Sequence, residues 1–396
     1  MFSVLRQACK SLGRSISGRL STGKAAVAAS ALLLAACQPG TGPGPARTDG
    51  PVPVALLVPA GSGQASDQLL ARSIENAARM AIGDLAGVQI DLRVYPTSAQ
   101  AAQASTAAQQ AIADGAQVIL GPVFAEEANA AGLAAAPAGV NVLSFSNNPA
   151  IAGGNVFVLG PTFDNTARRL ATYAVRNGRA QVMIIHDRNP GGEAGRSAIA
   201  NGVASAGGRV VATGSYEFSQ NGIVQAVPTL AAQVKSSGAQ AVFFTADTAG
   251  ALPLITQLMS ENGVNPATTQ YIGLTRWDIP AATLSLPGVQ GGVFAMPDPA
   301  LFAQYQARYQ ATFGEPPHPL SAIAYDGIAA IGALAKQGRG LDRAALTQGA
   351  GFVGVNGVFR LLPNGTNERG LAVARIQNNA VTIVDPAPRS FGGAGF

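Results

Sequence analysis

VALLVPAGSGQASDQLLARSIENAARMAIGDL, residues 54–85, sets the fold. It opens on an apolar run, Val54 to Val58, too short for a helix and without polar alternation, which reads as a strand buried on both faces. A polar turn follows, and then Leu70, Ile74, Ala77, Ala81 and Leu85 recur at helical spacing on one stripe. Strand, loop and amphipathic helix make the unit of a parallel sheet. Further apolar runs lie at Val118 to Leu120, Val140 to Phe145, Val182 to Ile185, Ala241 to Phe244 and Tyr271 to Leu274. Helical segments are expected after Ser98, Glu126, Asn165, Glu193 and Val227. The expectation is an α/β protein with doubly wound parallel sheets. In such sheets ligands sit beyond the carboxyl ends of the strands. Attention therefore falls on Gly61, Ser62 and Gly63, on Gly121 and Pro122, and on Ser144, Phe145, Ser146, Asn147 and Asn148. Gly, Ser and Asn are also ordinary turn formers, which is the alternative reading of each loop.

Upstream, Arg6, Lys10, Arg14, Arg19 and Lys24 form a basic region with no acidic residue, and Ala25 to Ala36 is small and apolar apart from Ser30. A run of this length falls short of the ~20 residues that cross a bilayer core of ~30 Å, so residues 1–36 read as a cleaved signal peptide. Leu34, Ala35, Ala36 and Cys37 are similar to the lipobox of bacterial lipoproteins, which makes Cys37 the expected acylation site and the first mature residue. Residues 37–53 are dominated by Gly, Pro and Thr and read as a flexible tether. Gln38, in place of an aspartate after the cysteine, points to the outer rather than the inner membrane. Cys9, the only other cysteine, lies in the segment to be removed, so no disulfide is expected within the mature chain. Five of the 26 basic residues precede Cys37, which leaves 21 against 21 acidic residues. The basic balance thus belongs to the signal segment and gives no support for a nucleic-acid partner, and contact with a membrane is expected through the lipid alone.

The stretches VILGPVFA (118–125), VNVLSFSNN (140–148), GNVFVLG (154–160), MIIHDR (183–188) with Gly195 beyond it, AYDG (324–327) and GVFRLLPNGTNERG (357–370) occur in the order found in type I periplasmic binding proteins of the leucine-binding family, which the chain resembles from the tether to near its end. The resemblance implies two lobes joined by three crossings, with a ligand closing the cleft between them. The crossings are expected near Gly160 to Phe163, Phe294 to Pro297 and Phe352 to Gly357. Lobe 1 is then 54–160 with 297–352, lobe 2 is 161–296 with 353–385, and 386–396 is a Gly-rich tail.

In that family serine and threonine hydroxyls and backbone N–H groups hold the ligand carboxylate, while an acidic side chain holds the ammonium. Carried over by position, the hydroxyl-rich loop falls on Phe124 to Asn129, where Glu126 and Glu127 stand instead, and the second hydroxyl falls at Asn147 or Asn148. The aromatic residue falls at Gly191. The acidic residue falls at Thr275, Arg276 or Trp277. The amino-acid grip is therefore largely missing, and free leucine, isoleucine and valine are expected to bind weakly. One reading is a solute receptor for another small polar ligand, working with an ABC permease. Arg276 would be an anion contact, Trp277 a stacking face, and Asp187, Asp247 or a glutamate the cation contact. Replacing Arg276 and Trp277 by alanine would then leave the unliganded melting temperature nearly unchanged. The alternative for Trp277 is an ordinary packed aromatic and for Arg276 a surface charge. A second reading follows from a likeness of ALLVPAGSG and GAQVILGPVF to penicillin-binding-protein activators, whose partner is a peptidoglycan synthase.

Catalysis has little to build on. His186 beside Asp187 is the one acid/base candidate, and packing is the simpler role; His318 lies in a proline-rich loop, and no metal-ligand spacing or cofactor motif is present. No turnover and no cofactor are expected. Asn364, Gly365 and Thr366 read as a hairpin turn.

Overall fold

The computed structural model describes residues 50–392. Its strands are β1 (Val52–Val58), β2 (Ile90–Pro96), β3 (Val118–Leu120), β4 (Asn141–Ser144), β5 (Val156–Val158), β6 (Gln181–Asp187), β7 (Arg209–Tyr216), β8 (Ala241–Phe244), β9 (Gln270–Gly273), β10 (Val293–Met296), β11 (Phe352–Gly354), β12 (Gly357–Leu361), β13 (Asn367–Arg369), β14 (Ala372–Gln377) and β15 (Ala380–Asp385). The principal helices are α1 (Ala65–Gly83), α2 (Ala101–Ala113), α3 (Ala125–Ala135), α4 (Phe163–Arg176), α5 (Pro190–Ser205), α6 (Gln220–Ser237), α7 (Leu252–Glu261), α8 (Pro299–Phe313) and α9 (Ser321–Lys336).

Two sheets carry the two lobes. The first has the order β2-β1-β3-β4-β5 and is parallel throughout. In the second the parallel strands run β7-β6-β8-β9-β10, the same winding again, and antiparallel β14 and β15 extend it beyond β10. Each sheet is covered on both faces, as parallel sheets require. Leu56 and Val118 meet Ile74 of α1 and Ile328 of α9 on one face of the first sheet, while Leu57 and Ile119 meet Ala108 and Ala131 of α2 and α3 on the other. In the second lobe Ile185 and Phe244 pack with Leu230 and Ile255, and Ile184 and Phe243 with Leu170 and Ile199.

The chain passes between lobes three times. After β5 it runs through Leu159 and Gly160 into α4, whose N-terminus is capped by Thr162 Oγ1 accepting from Asn165 N. Gly160 has no tolerance for a side chain, since a Cβ would collide with the carbonyl of Ser146. After β10 it enters α8 through the cap Asp298, which accepts from Ala300 N and Leu301 N, and Tyr305 and Tyr309 of α8 pack with Ala77 of α1.

The third exchange departs from the sequence reading, which put residues 353–385 in lobe 2. The antiparallel ribbon β11-β12-β13 buries Phe352, Phe359 and Leu361 in the first lobe's core. The chain leaves that core only at Gly370, and Leu371 is the first residue packed with the second. Asn364 to Thr366 make the tight turn of the ribbon, with Leu362 N donating to Thr366 O at 2.8 Å.

Both chain ends also differ from expectation. Val52 and Pro53, assigned to the tether, are already strand, paired with Ile90 and Asp91. Within the supposed tail, Ala387 is buried with the second lobe's core, and the Arg360 guanidinium lies 4.5 Å from the centre of the Phe391 ring. Cys37 and the signal segment lie outside the described residues. Among the described residues no helix is long and apolar enough to cross a membrane.

Candidate functional site

A cavity of about 610 Å³ opens where the three exchanges meet. The first contributes Pro161, Thr162 and Phe163, the second Met296 and Pro297, and the third Asn356, Arg369 and Leu371. Thr275, Arg276, Asp278 and Ile279 close it from the loop after β9, and Phe302, Gln306, Leu320 and Ile323 from α8 and the start of α9. The lining is thus aliphatic, aromatic and proline-rich with a few polar groups, the usual make-up of a small-molecule pocket.

Arg276 is the cavity's half-exposed cation. Its Nε donates to Asp278 Oδ1 at 2.9 Å and one terminal nitrogen donates to Oδ2, so the carboxylate holds the guanidinium flat in one orientation. A guanidinium has five N–H donors, and this pairing leaves donors for a second planar anion.

Arg369 is different, because its charge is committed to the fold. Arg369 Nη1 donates to Asp326 Oδ2 at 2.8 Å, and Nε and Nη2 donate to Leu159 O at 3.0 and 2.5 Å. Asp326 also accepts from Asn356 Nδ2 at 2.9 Å. Asn367 Nδ2 reaches Val158 O at 2.7 Å and Gly160 O at 2.9 Å, while its Oδ1 accepts from Asn165 Nδ2 at 2.8 Å. This buried network ties the first exchange to the third, and Gly354 lets the ribbon turn against Asp326, where a Cβ would strike the carboxylate.

The sequence-predicted residues divide into three groups. Thr275 and Arg276 line the cavity. Trp277 does not: the ring is 0% exposed, packed against Phe244 and filling the space left by Gly273 and Gly292. It has no free face for a ligand, and its role is core packing. The remaining residues lie at strand ends, in the loops beyond them or at the start of α3, outside the cavity lining. Ser62 is half-buried and accepts from Gln64 N; Phe124 and Glu126 are exposed; Asn147 and Asn148 are exposed, Asn148 capping a short helical turn by accepting from Ala150 N. Ser144 and Ser146 are buried, their hydroxyls engaged with Pro122 O and Asn148 N. Asp187 is buried and accepts from Thr245 Oγ1 at 2.6 Å, and Asp247 is exposed.

Glu127 and Glu126, treated alike in sequence, are separated by helix geometry. Glu126 faces solvent, whereas Glu127 is 1% exposed and neither of its buried carboxylate oxygens is hydrogen-bonded among the described residues. Burial pushes its pKa up, and Thr97 with the Phe124 and Gln100 amides nearby offsets this only in part. His186 and Asp187 do not form an acid/base pair, because Nδ1 of the ring lies 3.2 Å from the backbone carbonyl of Asp187 and 3.6 Å from Glu193. His318 takes up a local role, its Nδ1 accepting from Leu320 N.

The cavity residues that sequence missed include Thr162, Phe163, Asp278, Phe302, Asn356 and Arg369. Arg369 had a signal, the GTNERG segment; Phe302 lies on α8, for which no periodic pattern stood out.

A family model described as a periplasmic binding protein matches residues 51–380. No curated protein matches the chain. Among solved structures, a putative branched-chain amino acid ABC transporter from Rhodospirillum rubrum is 18% identical over 84% of this chain and 100% of that one, with a TM-score of 0.72. A branched chain amino acid ABC transporter periplasmic ligand-binding protein from Burkholderia xenovorans is 18% identical over 86% and 97%, with a TM-score of 0.66. A solute binding protein from R. palustris in complex with benzoate is 17% identical over 88% and 99%, with a TM-score of 0.56. At these identities the likeness establishes the fold alone.

Proposed function

Because the chain belongs to the periplasmic binding protein family, we propose that it is a solute-binding protein that holds a small organic acid in the cavity at the three exchanges and delivers it to an ABC-type permease. The carrying observation is Arg276, oriented by Asp278 and lining a mainly apolar cavity to which both lobes contribute. The volume falls within the ~300–1,000 Å³ of small-ligand pockets. The acid group meets the unused guanidinium donors, and Phe163, Ile279, Met296 and Phe302 take the apolar body. Similar proteins crystallised with leucine and with benzoate each hold an organic acid, which is consistent with this class.

A thermal-shift panel of benzoate, leucine and short aliphatic acids tests the reading. A ligand at 100 times its Kd adds about 2.7 kcal/mol of stability. Arg276→Ala is expected to weaken binding of the best acid by about tenfold to a hundredfold, since hydrogen bonds to a charged group contribute ~1.5–3 kcal/mol. An acid bound equally well by Arg276→Ala sits elsewhere, and the assignment of the cavity fails.

The same proposal includes attachment to the envelope through a lipid on Cys37, on the periplasmic side of the outer membrane, with residues 1–36 removed. Cys37→Ala is expected to abolish incorporation of a fatty-acid probe completely. Undiminished labelling of that variant would contradict the anchor.

A further inference from the structure

The parallel strands of the second sheet begin at the edge opposite to the one that borders the acid cavity, and this edge is basic. Arg179 precedes β6, Arg209 opens β7, Lys235 lies in the last turn of α6 before β8, and Arg375 is the register partner of Val293 at the start of β10. Elsewhere in the second lobe cations are paired, Arg169 with Asp385, Arg188 with Glu217, Arg196 with Glu193 and Arg276 with Asp278. Arg179, Arg209, Lys235 and Arg375 enter no ion pair among the described residues. Within this row a second cavity, of about 360 Å³, opens between the end of α6 and the loop that joins α7 to β9. Lys235, Gly238, Gly263, Asn265, Thr268 and Thr269 line it, and no carboxylate does. We propose that this second cavity is a binding site for a phosphate group.

The positive charge is held at the cavity by hydrogen bonds to backbone carbonyls. Lys235 Nζ donates to Asn262 O at 2.7 Å, and the absent side chain of Gly263 makes room for it, since a Cβ there would stand 3.0 Å from the ammonium. Basic side chains near helix C-termini ordinarily offset the dipole and the free carbonyls, and this bond is of that kind. It uses one of the three N–H donors of an ammonium, and two remain for a ligand. Arg179 belongs to no helix. Its Nη1 donates to Thr268 O at 2.9 Å, which ties the guanidinium to the cavity's own loop and leaves its other donors unused.

Neutral donors complete the set. Asn265 Oδ1 accepts from Ala267 N at 2.9 Å, which fixes the amide and leaves Nδ2 without a partner among the described residues. The Thr269 hydroxyl makes no hydrogen bond there either. The nearest acid in sequence, Glu261 at the end of α7, is outside the cavity lining and accepts from Gln257 Nε2 at 2.9 Å. An anion entering the cavity therefore meets an ammonium, a guanidinium at the rim, an amide and a hydroxyl, with no carboxylate in the wall to repel it.

The make-up of the wall selects the class of anion. Val234 and Val264 are the large apolar side chains in the lining, and both are buried, so the cavity offers no exposed apolar face for an organic body. A planar carboxylate pairs best with a guanidinium fork, whereas an ammonium binds phosphate as a point charge. Donors that come separately from α6 and from the α7–β9 loop suit the several oxygens of a tetrahedral group. Arg209, beside Arg179 through its N–H bond to Ala180 O at 2.8 Å, extends the positive field along the edge. The site stands at the far end of the strands from the acid cavity and does not depend on that cavity holding a ligand.

Two probes carry the phosphate group, and they separate its sources. Titration calorimetry with sodium phosphate, against sodium chloride of equal ionic strength, reads a free phosphate. Co-sedimentation with phosphatidylglycerol vesicles, against phosphatidylcholine vesicles, reads an anionic lipid headgroup. The wild-type protein is expected to bind at least one of the two above its control, and more weakly as salt is raised. Lys235→Gln and Arg179→Gln are each expected to lose about tenfold of that affinity and to melt as wild type does. Arg276→Ala at the acid cavity and Arg72→Gln on the first lobe are expected to bind as wild type does. Binding of neither probe overturns the proposal. So does undiminished affinity in both Lys235→Gln and Arg179→Gln, or an equal loss in Arg72→Gln, which would mark diffuse attraction to the whole surface rather than a site.

Discussion

Asp326→Ala is expected to lower the unfolding free energy by about 3–5 kcal/mol, the usual consequence of removing one partner of a buried ion pair. Asp326 is 0% exposed and is the carboxylate partner of Arg369, which is itself buried. Without it the guanidinium keeps its contacts with Leu159 O but loses its counter-charge, and Asn356 loses its acceptor. The charge, rather than the space, should account for most of the loss. The double variant Asp326→Leu with Arg369→Met should therefore be more stable than Asp326→Ala alone, since exchange of a buried pair for apolar side chains is often neutral or better. Urea denaturation followed by circular dichroism measures both. A loss below about 1 kcal/mol would show that water reaches the pair and that the exchanges are not locked by it.

Trp277→Ala is expected to cost a further ~3–5 kcal/mol by opening a large cavity in the second lobe. The indole fills the gap between Gly273 and Gly292 and stands 6.4 Å from Phe244, ring centre to ring centre. Its N–H makes no hydrogen bond among the described residues, so the loss is one of packing. This reverses the expectation from sequence that an alanine here would leave the melting temperature almost unchanged. Arg276→Ala, by contrast, should alter stability little, because the Arg276–Asp278 pair is partly exposed and pairs of that kind contribute ~0–1 kcal/mol. The contrast between neighbouring residues is measurable in one thermal melt of each variant.

Arg276 and Trp277 show where sequence reading stops. They are adjacent in a loop after a strand, and placement by family position could put either at a ligand. Only the glycines at 273 and 292, far apart in sequence, create the slot that takes the indole inward. The apolar runs at Val118 to Leu120 and Ala241 to Phe244 coincide with β3 and β8, because strands buried on both faces leave an unbroken apolar signature. The edge strands β2 and β7 were not legible. Their sequences, IDLRVYP and RVVATGSY, are half-exposed and mix charge, glycine and hydroxyl with apolar residues. The ribbon was placed in the wrong lobe for a related reason. Phe352, Phe359 and Leu361 announce burial, but nothing in their spacing says against which core. The cavity itself gathers residues from 161 to 371, a convergence no local pattern contains.

The central claim is that a small acid is held by both lobes at once. A ligand can favour a closed arrangement only through contacts it makes there and not in the open one. Arg276 and Ile279 come from the second lobe and Phe302 and Ile323 from the first, so one acid spanning the cavity engages both. X-ray scattering of the protein with and without the acid that most raises its melting temperature is the most direct measurement. A smaller radius of gyration is expected with the acid bound, and little change for Arg276→Ala at an acid concentration close to the wild-type Kd. A melting-temperature rise with an unaltered scattering curve in the wild type would contradict binding between the lobes.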